Sequence, residues 1–71
     1  DFDMNYQGDN YEISSLNIIN DVTIFSVDGK LLLKEIVNSN KKRLEFSFKQ
    51  NTIYIVQVSI GSAKVIKKLA F

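Results

Sequence analysis

Strict alternation over residues 53–60 is the feature that most constrains the fold of this chain. Tyr54, Val56, Val58 and Ile60 fall on one parity, whereas the other parity carries polar residues such as Gln57. Because successive side chains of a β-strand point to opposite faces, this pattern predicts an antiparallel strand with one face in a core. Tyr54 lies on the apolar parity, so we expect it in the core rather than in a ligand site.

Turn residues divide the rest of the chain into further strands. Asp28-Gly29 between two apolar runs is a strong hairpin signal, and we predict a type I′ turn there. The runs on either side, 22–27 and 30–37, are almost continuously apolar, so we expect both to be covered on two sides. Gly61-Ser62 suits a type II′ turn, whose first position needs a positive φ. We therefore expect residues 53–60 and 64–71 to form a hairpin.

Leu44, Phe46 and Phe48 alternate with polar residues and predict one more strand, preceded by a polar connection over 38–43. The N-terminal part gives short alternating runs over 2–7 and 11–19, and Asn20-Asp21 is predicted to be a turn. No stretch has a useful helical period. The 71 residues therefore predict one all-β domain spanning residues 1–71, a small antiparallel β-sandwich of six to seven strands, immunoglobulin-like in architecture.

The residue inventory argues against an enzyme and against bound cofactors or metals. The chain has no His and no Cys, which removes imidazole bases, thiolate nucleophiles and most zinc sites. Ser14, Ser15 and Ser26 have no activating partner in the sequence. Glu35 and Glu45 are carboxylates without a cleft. The spacing of the N-terminal acids and amides does not fit an EF-hand loop, so the alternatives are a loose calcium loop and an exposed polar segment. The donors of a loose loop would be Asp1, Asp3, Asn5, Asp9, Asn10 and Glu12.

Charge is divided unevenly along the chain. Residues 1–29 contain six acidic and no basic residues, whereas residues 30–71 contain nine basic and two acidic ones. This division indicates either a basic surface for an acidic partner or two halves whose charges pair loosely. Residues 41–43, Lys-Lys-Arg, are interpreted as a solvated loop tip rather than a nucleic-acid contact. No run reaches the length of a membrane span, and the opening residues do not resemble a signal peptide, so we expect a mature product, a fragment or a tail.

Three motifs occur in a characteristic order. An apolar strand leads into Asp28-Gly29-Lys30 and a second apolar strand, then a Tyr54-Ile55-Val56 strand follows, and Lys67-Lys68-Leu69 lies in the last strand. Each motif alone is weak. Together, from Leu16 to the C-terminus, they resemble the type A C-terminal sorting domain of the type IX secretion system of Bacteroidetes.

The resemblance implies a non-catalytic address that directs an upstream cargo through the outer membrane to the cell surface or medium. Its implied partners are the type IX translocon, with its shuttle or sortase-like components, and the cargo domain; neither nucleic acid nor membrane insertion is implied. The implied route passes through the periplasm. The candidate recognition residues are in the last strand: Lys64, Val65, Lys67, Lys68, Leu69, Ala70 and Phe71.

Two alternatives stay open at the level of sequence. Lysines on an edge strand also prevent aggregation, so Lys64, Lys67 and Lys68 need not bind anything. A small adhesion or carbohydrate-binding module is the alternative function, and Tyr6 and Tyr11 are its only plausible exposed aromatic residues.

Overall fold

The computed structural model describes residues 1–71 and contains five β-strands and no helix. The strands are β1 (Asp3–Gln7), β2 (Asn10–Ser26), β3 (Leu31–Arg43), β4 (Ile53–Ile60) and β5 (Ala63–Ala70). All four strand pairings are antiparallel. The all-β antiparallel fold is therefore confirmed, with five strands in place of the predicted six to seven. No helix in the structure is long and apolar enough to span a membrane.

The long strand β2 organises the sheet. β3 pairs along one side of β2, while β1 and β4 pair with the other side at its two ends. Glu12 accordingly lies between Asn5 and Arg43, and Ile24 lies between Leu33 and Val56. β5 pairs only with β4 and forms one edge of the sheet.

The sheet bends within β2 at residues 15–18. Between the pairs Ser14–Lys41 and Ile19–Ser39, β2 contains four residues and β3 contains one. Such an excess of residues bends the strand and increases its twist. Leu16 lies on the outside of this bend and is 98% exposed. The bend lets the two halves of β2 face a common core, as in a sandwich.

Ten apolar residues form that core: four lie in β2, four in β4, and two lie just before β1 and just after β3. They are Phe2, Ile13, Ile19, Val22, Ile24, Leu44, Tyr54, Val56, Val58 and Ile60. The four β4 residues predicted from alternation are all buried. Phe46 and Phe48, also predicted in the core, are only partly buried and pack against its margin.

Two predicted connections are wrong, because both lie within strands. β2 continues through Asn20-Asp21, where a register shift accommodates the polar pair. β3 continues through residues 38–43, so the three basic residues lie in a strand and not at a loop tip. A polar segment can pair its backbone at a sheet edge where no apolar face is required, and Asn38 adopts a φ of 51° at the accompanying bulge.

Residues 44–49 show the opposite error. Their burial alternates as predicted, yet they form no strand. Leu44 N–H donates a hydrogen bond to Tyr11 O at 2.9 Å, and beyond it the segment has no ladder. Alternation predicts which side chains face a core, but it does not predict whether the backbone has a partner strand. The expectation that β3 is covered on both faces is also wrong, since the side chains of Leu31, Leu32 and Ile36 are exposed.

Candidate functional site

The predicted recognition strand is β5, and a two-residue turn connects it to β4. Ile60 pairs with Ala63 across Gly61-Ser62. Gly61 has a φ of 61°, and Ser62 is not among the residues with positive φ. This is the pattern of a type II′ turn, which matches the right-handed twist of the strands that it joins. From this turn the register runs without interruption through eight pairs to Ile53–Ala70.

The backbone of β5 has one bonded side and one free side. In an antiparallel ladder, alternate residues direct both backbone groups toward the partner strand. Phe71 N–H donates to Thr52 O at 3.0 Å, which places the odd-numbered residues on the β4 side. The even-numbered residues therefore direct their N–H and C=O groups away from the sheet: Lys64, Ile66, Lys68 and Ala70.

The side chains of β5 divide in the same way. Those four even-numbered residues are exposed, whereas Val65, Lys67 and Leu69 are half-buried toward the core. β5 has no fully buried residue, although its partner β4 has four. The strand thus presents free backbone groups together with two lysines and an isoleucine.

Lys67 differs from the other two lysines because its side chain is held by the N-terminal segment. Its Nζ donates to Phe2 O at 2.7 Å, lies 3.0 Å from the Asp1 carboxylate, and lies 4.6 Å from the centre of the Phe2 ring. The Phe2 side chain is buried. An ammonium group held by a carbonyl, a carboxylate and an aromatic face is structurally engaged, so Lys67 connects β5 to the N-terminal segment.

The end of β5 belongs to an aromatic cluster. Leu69 is paired with Tyr54, and the Phe71 ring stacks on Phe48 with centroids 4.1 Å apart and an interplanar angle of 11°. Tyr11 meets the rings of both Phe48 and Phe71 edge-on. These contacts anchor the C-terminal end of the strand to residues that sequence patterning did not connect with it.

The second predicted turn has a different geometry from the one expected. Gly29 N–H donates to Ser26 O, and Ser26 N–H donates to Lys30 O, each at 2.9 Å. Gly29 has a φ of 91°, but Asp28 does not have a positive φ. A type I′ turn is therefore wrong, because it needs positive φ at both central residues. The connection is a type I turn followed by a glycine bulge, a three-residue loop.

A small polar network stabilises this loop. The Ser26 hydroxyl donates to the Asp28 carboxylate, and Lys30 N–H donates to Ser26 Oγ at 3.0 Å. The hydrogen bond from Ser26, followed by backbone hydrogen bonds, lowers the pKa of Asp28 below its ordinary value of 3.8. Ser26 pairs with Tyr54, so this loop lies at the sheet end opposite Gly61. The two predicted turns do not form one site.

The other candidate groups are dispersed or engaged. No three acidic side chains are grouped closely enough to hold a metal ion. Lys42 pairs with Glu35 at 3.5 Å, and Arg43 donates to Asn10 Oδ1 at 2.8 Å, so two of the three consecutive bases have intramolecular partners. Of the two ion pairs in the structure, only Lys67–Asp1 joins the acidic and basic halves of the chain.

A concavity of about 480 Å³ lies beside the aromatic cluster. Tyr6 is 65% exposed at its margin, whereas Tyr11 is half-buried among other rings. Of the two aromatic residues considered for carbohydrate binding, only Tyr6 therefore offers an open ring. The remaining lining residues are Asp9, Phe46, Ser47, Phe48, Gln50 and Phe71.

Sequence reasoning missed Phe2 and the inward direction of Lys67. The direction of Lys67 could have been predicted from the alternation of the last strand. Lys67 has the same parity as Val65, Leu69 and Phe71, so its side chain points to the same face as theirs.

Comparison with known proteins complements this geometry. No curated protein matches the chain. The family model described as the secretion system C-terminal sorting domain matches residues 5–71, which include all five strands apart from the first two residues of β1. With its five-stranded sheet, its terminal edge strand and this match, the chain belongs to the C-terminal sorting domains of the type IX secretion system.

Proposed function

We propose that residues 1–71 act as a non-catalytic address that carries a cargo, attached before Asp1, through the type IX machinery to the cell surface or medium. Membership of the sorting-domain family supports a C-terminal signal on a secreted protein. The proposal adds that the domain folds as one unit and that the route passes through the periplasm. It also adds that the folded domain is recognised by the translocon and its shuttle or sortase-like components.

One observation carries the choice of recognition surface. β5 is an edge strand on which Lys64 and Lys68 are exposed beside free backbone groups. Lys67 is engaged with Phe2, so it contributes to the fold and not directly to recognition. The surface that we assign to the machinery therefore consists of Lys64, Ile66 and Lys68, with exposed Ala70 at its end. The inward-facing residues of the candidate set hold that strand in place: Val65, Lys67, Leu69 and Phe71.

Secretion of a reporter fused to the domain in a host with type IX secretion tests this function. The wild-type fusion should leave the cell, and removal of residues 64–71 should abolish export. Changing Lys64 and Lys68 to Gln should reduce export while circular dichroism shows a folded domain, since exposed charge changes alter stability by at most about 0.5 kcal/mol. Normal export of the truncated fusion would reject β5 as the address, and failure of the wild-type fusion to leave the cell would reject the function.

Carbohydrate binding is the second candidate function, favoured by the open ring of Tyr6 beside Asp9 and Gln50 in the concavity. Sugar sites combine an exposed aromatic face with nearby hydrogen-bonding groups. Tyr6→Ala should abolish binding on a glycan array if this function is correct and should leave reporter export unchanged. No binding by the wild-type domain to any glycan would exclude this candidate.

A further inference from the structure

Three strands have a free edge, and they differ in regularity. β1 has five residues, and β3 is longer but its pairing with β2 has three register shifts. β5 has eight residues paired in unbroken register, and β4 is the only strand in contact with it. Bulges and short length are common means of protecting an edge from pairing with another chain. Protection of that kind is present on β1 and β3 and missing from β5.

The free groups of β5 form a repeating pattern. Lys64, Ile66 and Lys68 each direct a backbone N–H and C=O away from the sheet, and their side chains are exposed on the outer face. Alternate residues of a strand are about 6.6–6.8 Å apart. The edge therefore offers donors, acceptors and side chains in the order basic, apolar, basic at one regular spacing.

We propose that β5 accepts an extended segment of the secretion machinery as an added strand, and that this segment carries acidic, apolar and acidic side chains at alternate positions. The inference rests on the proposed function and specifies the chemistry of its partner. Main-chain hydrogen bonds to the free edge supply affinity in such complexes, and alternate side chains supply specificity. Opposite charges across neighbouring strands stabilise the pair, so acidic residues fit opposite Lys64 and Lys68.

Charge also argues for a different chain as the occupant instead of a second copy. In an antiparallel pair of β5 strands centred on Ile66, Lys64 of each copy faces Lys68 of the other. Like charges directly opposite each other destabilise a strand pair. The lysines thus disfavour this self-pairing and favour an acidic strand.

Two seven-residue peptides test the proposal on the isolated domain. One has Glu, Val and Glu at positions two, four and six with Thr elsewhere, and the control has Lys in place of Glu. At saturation the Glu peptide should slow amide exchange at Lys64, Ile66 and Lys68 by about tenfold or more. The Lys peptide should leave it unchanged. Equal protection by both peptides, protection confined to β3, or protection that rises with domain concentration without peptide would overturn the proposal.

A matched pair of variants isolates the backbone contribution. Ile66→Pro removes one outward N–H and leaves every hydrogen bond to β4 in place. Proline is tolerated at such outward positions of edge strands. Ile66→Ala removes most of the same side chain and keeps the N–H. Ile66→Pro should raise the dissociation constant of the Glu peptide at least about fivefold above that of Ile66→Ala, as expected for one lost hydrogen bond. Equal constants would overturn strand addition.

Charge exchange provides a test that does not depend on how well the proline variant folds. With Lys64 and Lys68 both changed to Glu, the domain should bind the Lys peptide and lose the Glu peptide. Unchanged preference would contradict the charge pairing. Reporter export separates this inference from the function on which it rests. Export that depends on β5 but shows no difference between Ile66→Pro and Ile66→Ala refutes strand addition alone, whereas failure of the wild-type fusion to leave the cell refutes the function.

Discussion

β4 and β5 are paired along their full length, yet they have opposite relations to the core. Each has eight residues, and the register between them has no irregularity. β4 lies between β2 and β5 and buries four side chains. β5 lies at the edge and buries none completely. The two strands thus share one regular ladder but differ in burial, because β4 is also paired with β2 whereas the other side of β5 is free.

This difference assigns separate tasks to the two strands. Burial of apolar surface is the main favourable contribution to folding, so β4 should determine stability. A strand with little buried surface can change its exposed residues without unfolding the domain, so β5 can carry recognition. Substitutions at matched positions of the two strands test this division.

The largest effect is expected at Tyr54. Its side chain is 4% exposed and contacts the rings of Phe46, Phe48 and Phe71. Tyr54→Ala should lower the free energy of unfolding by about 3–5 kcal/mol, a large part of the stability of about 4–11 kcal/mol expected for 71 residues. Its partner Leu69 is half-buried, so Leu69→Ala should cost about 1–2 kcal/mol. Urea denaturation of both variants gives the comparison, and equal losses would contradict the division of tasks.

Tyr54→Phe separates the ring from its hydroxyl. The hydroxyl accepts a hydrogen bond from Lys49 N–H at 3.0 Å. Loss of this acceptor should cost about 1 kcal/mol, well below the cost of removing the ring.

The correct prediction of β4 and the wrong prediction of a strand over 44–49 have the same physical origin. Alternation identified the core-facing residues of β4 and also of residues 44–49, because burial depends on side-chain direction in both. Alternation carries no information on the pairing partner, so it could not show that residues 44–49 lack one. Polar residues predict a turn at Asn20-Asp21 and a connection over 38–43, but bulges and an exposed edge allow the strands to continue there.

The next effect concerns the turn that joins the two strands. Gly61→Val should destabilise the domain by about 2 kcal/mol, because an L-residue at a φ of 61° is strained. Apart from Gly61 and its chain neighbours, no atom lies within 4 Å of a Cβ built there, so the cost comes from the local backbone conformation. Ser62→Val is the control and should change stability by no more than about 0.5 kcal/mol. Equal denaturation midpoints for the two variants would be inconsistent with this turn.

A smaller effect should distinguish two adjacent lysines of β5. Lys67→Gln removes the contacts with Asp1 and the Phe2 ring and should cost about 1 kcal/mol. The ion pair itself contributes little of this, because Asp1 is 73% exposed. Lys68→Gln should be nearly neutral. Thermal unfolding of the two variants measures the difference, and a more stable Lys67→Gln than Lys68→Gln would contradict the assigned roles.

The smallest effect concerns the loop between β2 and β3. The pKa of Asp28 is lowered in the folded state, so its contribution is fully present above the unfolded value near 3.8 and is lost as pH falls through the lower folded value. Asp28→Asn should therefore be slightly less stable than wild type at pH 7, and the difference should be smaller at about pH 2. Paired denaturation curves at the two pH values measure this, and a constant difference would argue against the Ser26 hydrogen bond as its source.

The position of the candidate site could be predicted from the sequence, but the contacts of its side chains could not. The turn glycine and the terminal lysines could be identified from the sequence, because turns and exposed charge are local properties. The engagement of Lys67 depends on Phe2, which is 65 residues away, and no local pattern reports such a contact. The edge position of β5, in contrast, was predictable from its mixed apolar and lysine faces, and the sheet order confirms it.

The contact between Lys67 and Phe2 has a mechanical consequence. It joins the first residues of the domain to its last strand, so tension from a cargo attached before Asp1 is transmitted first to Phe2 and Lys67. The hydrogen bond from Ser15 to Asp1 O, at 2.9 Å, would share this tension from β2. A pull on the cargo and a pull on the terminal strand would therefore load the same few contacts of Asp1, Phe2 and Lys67.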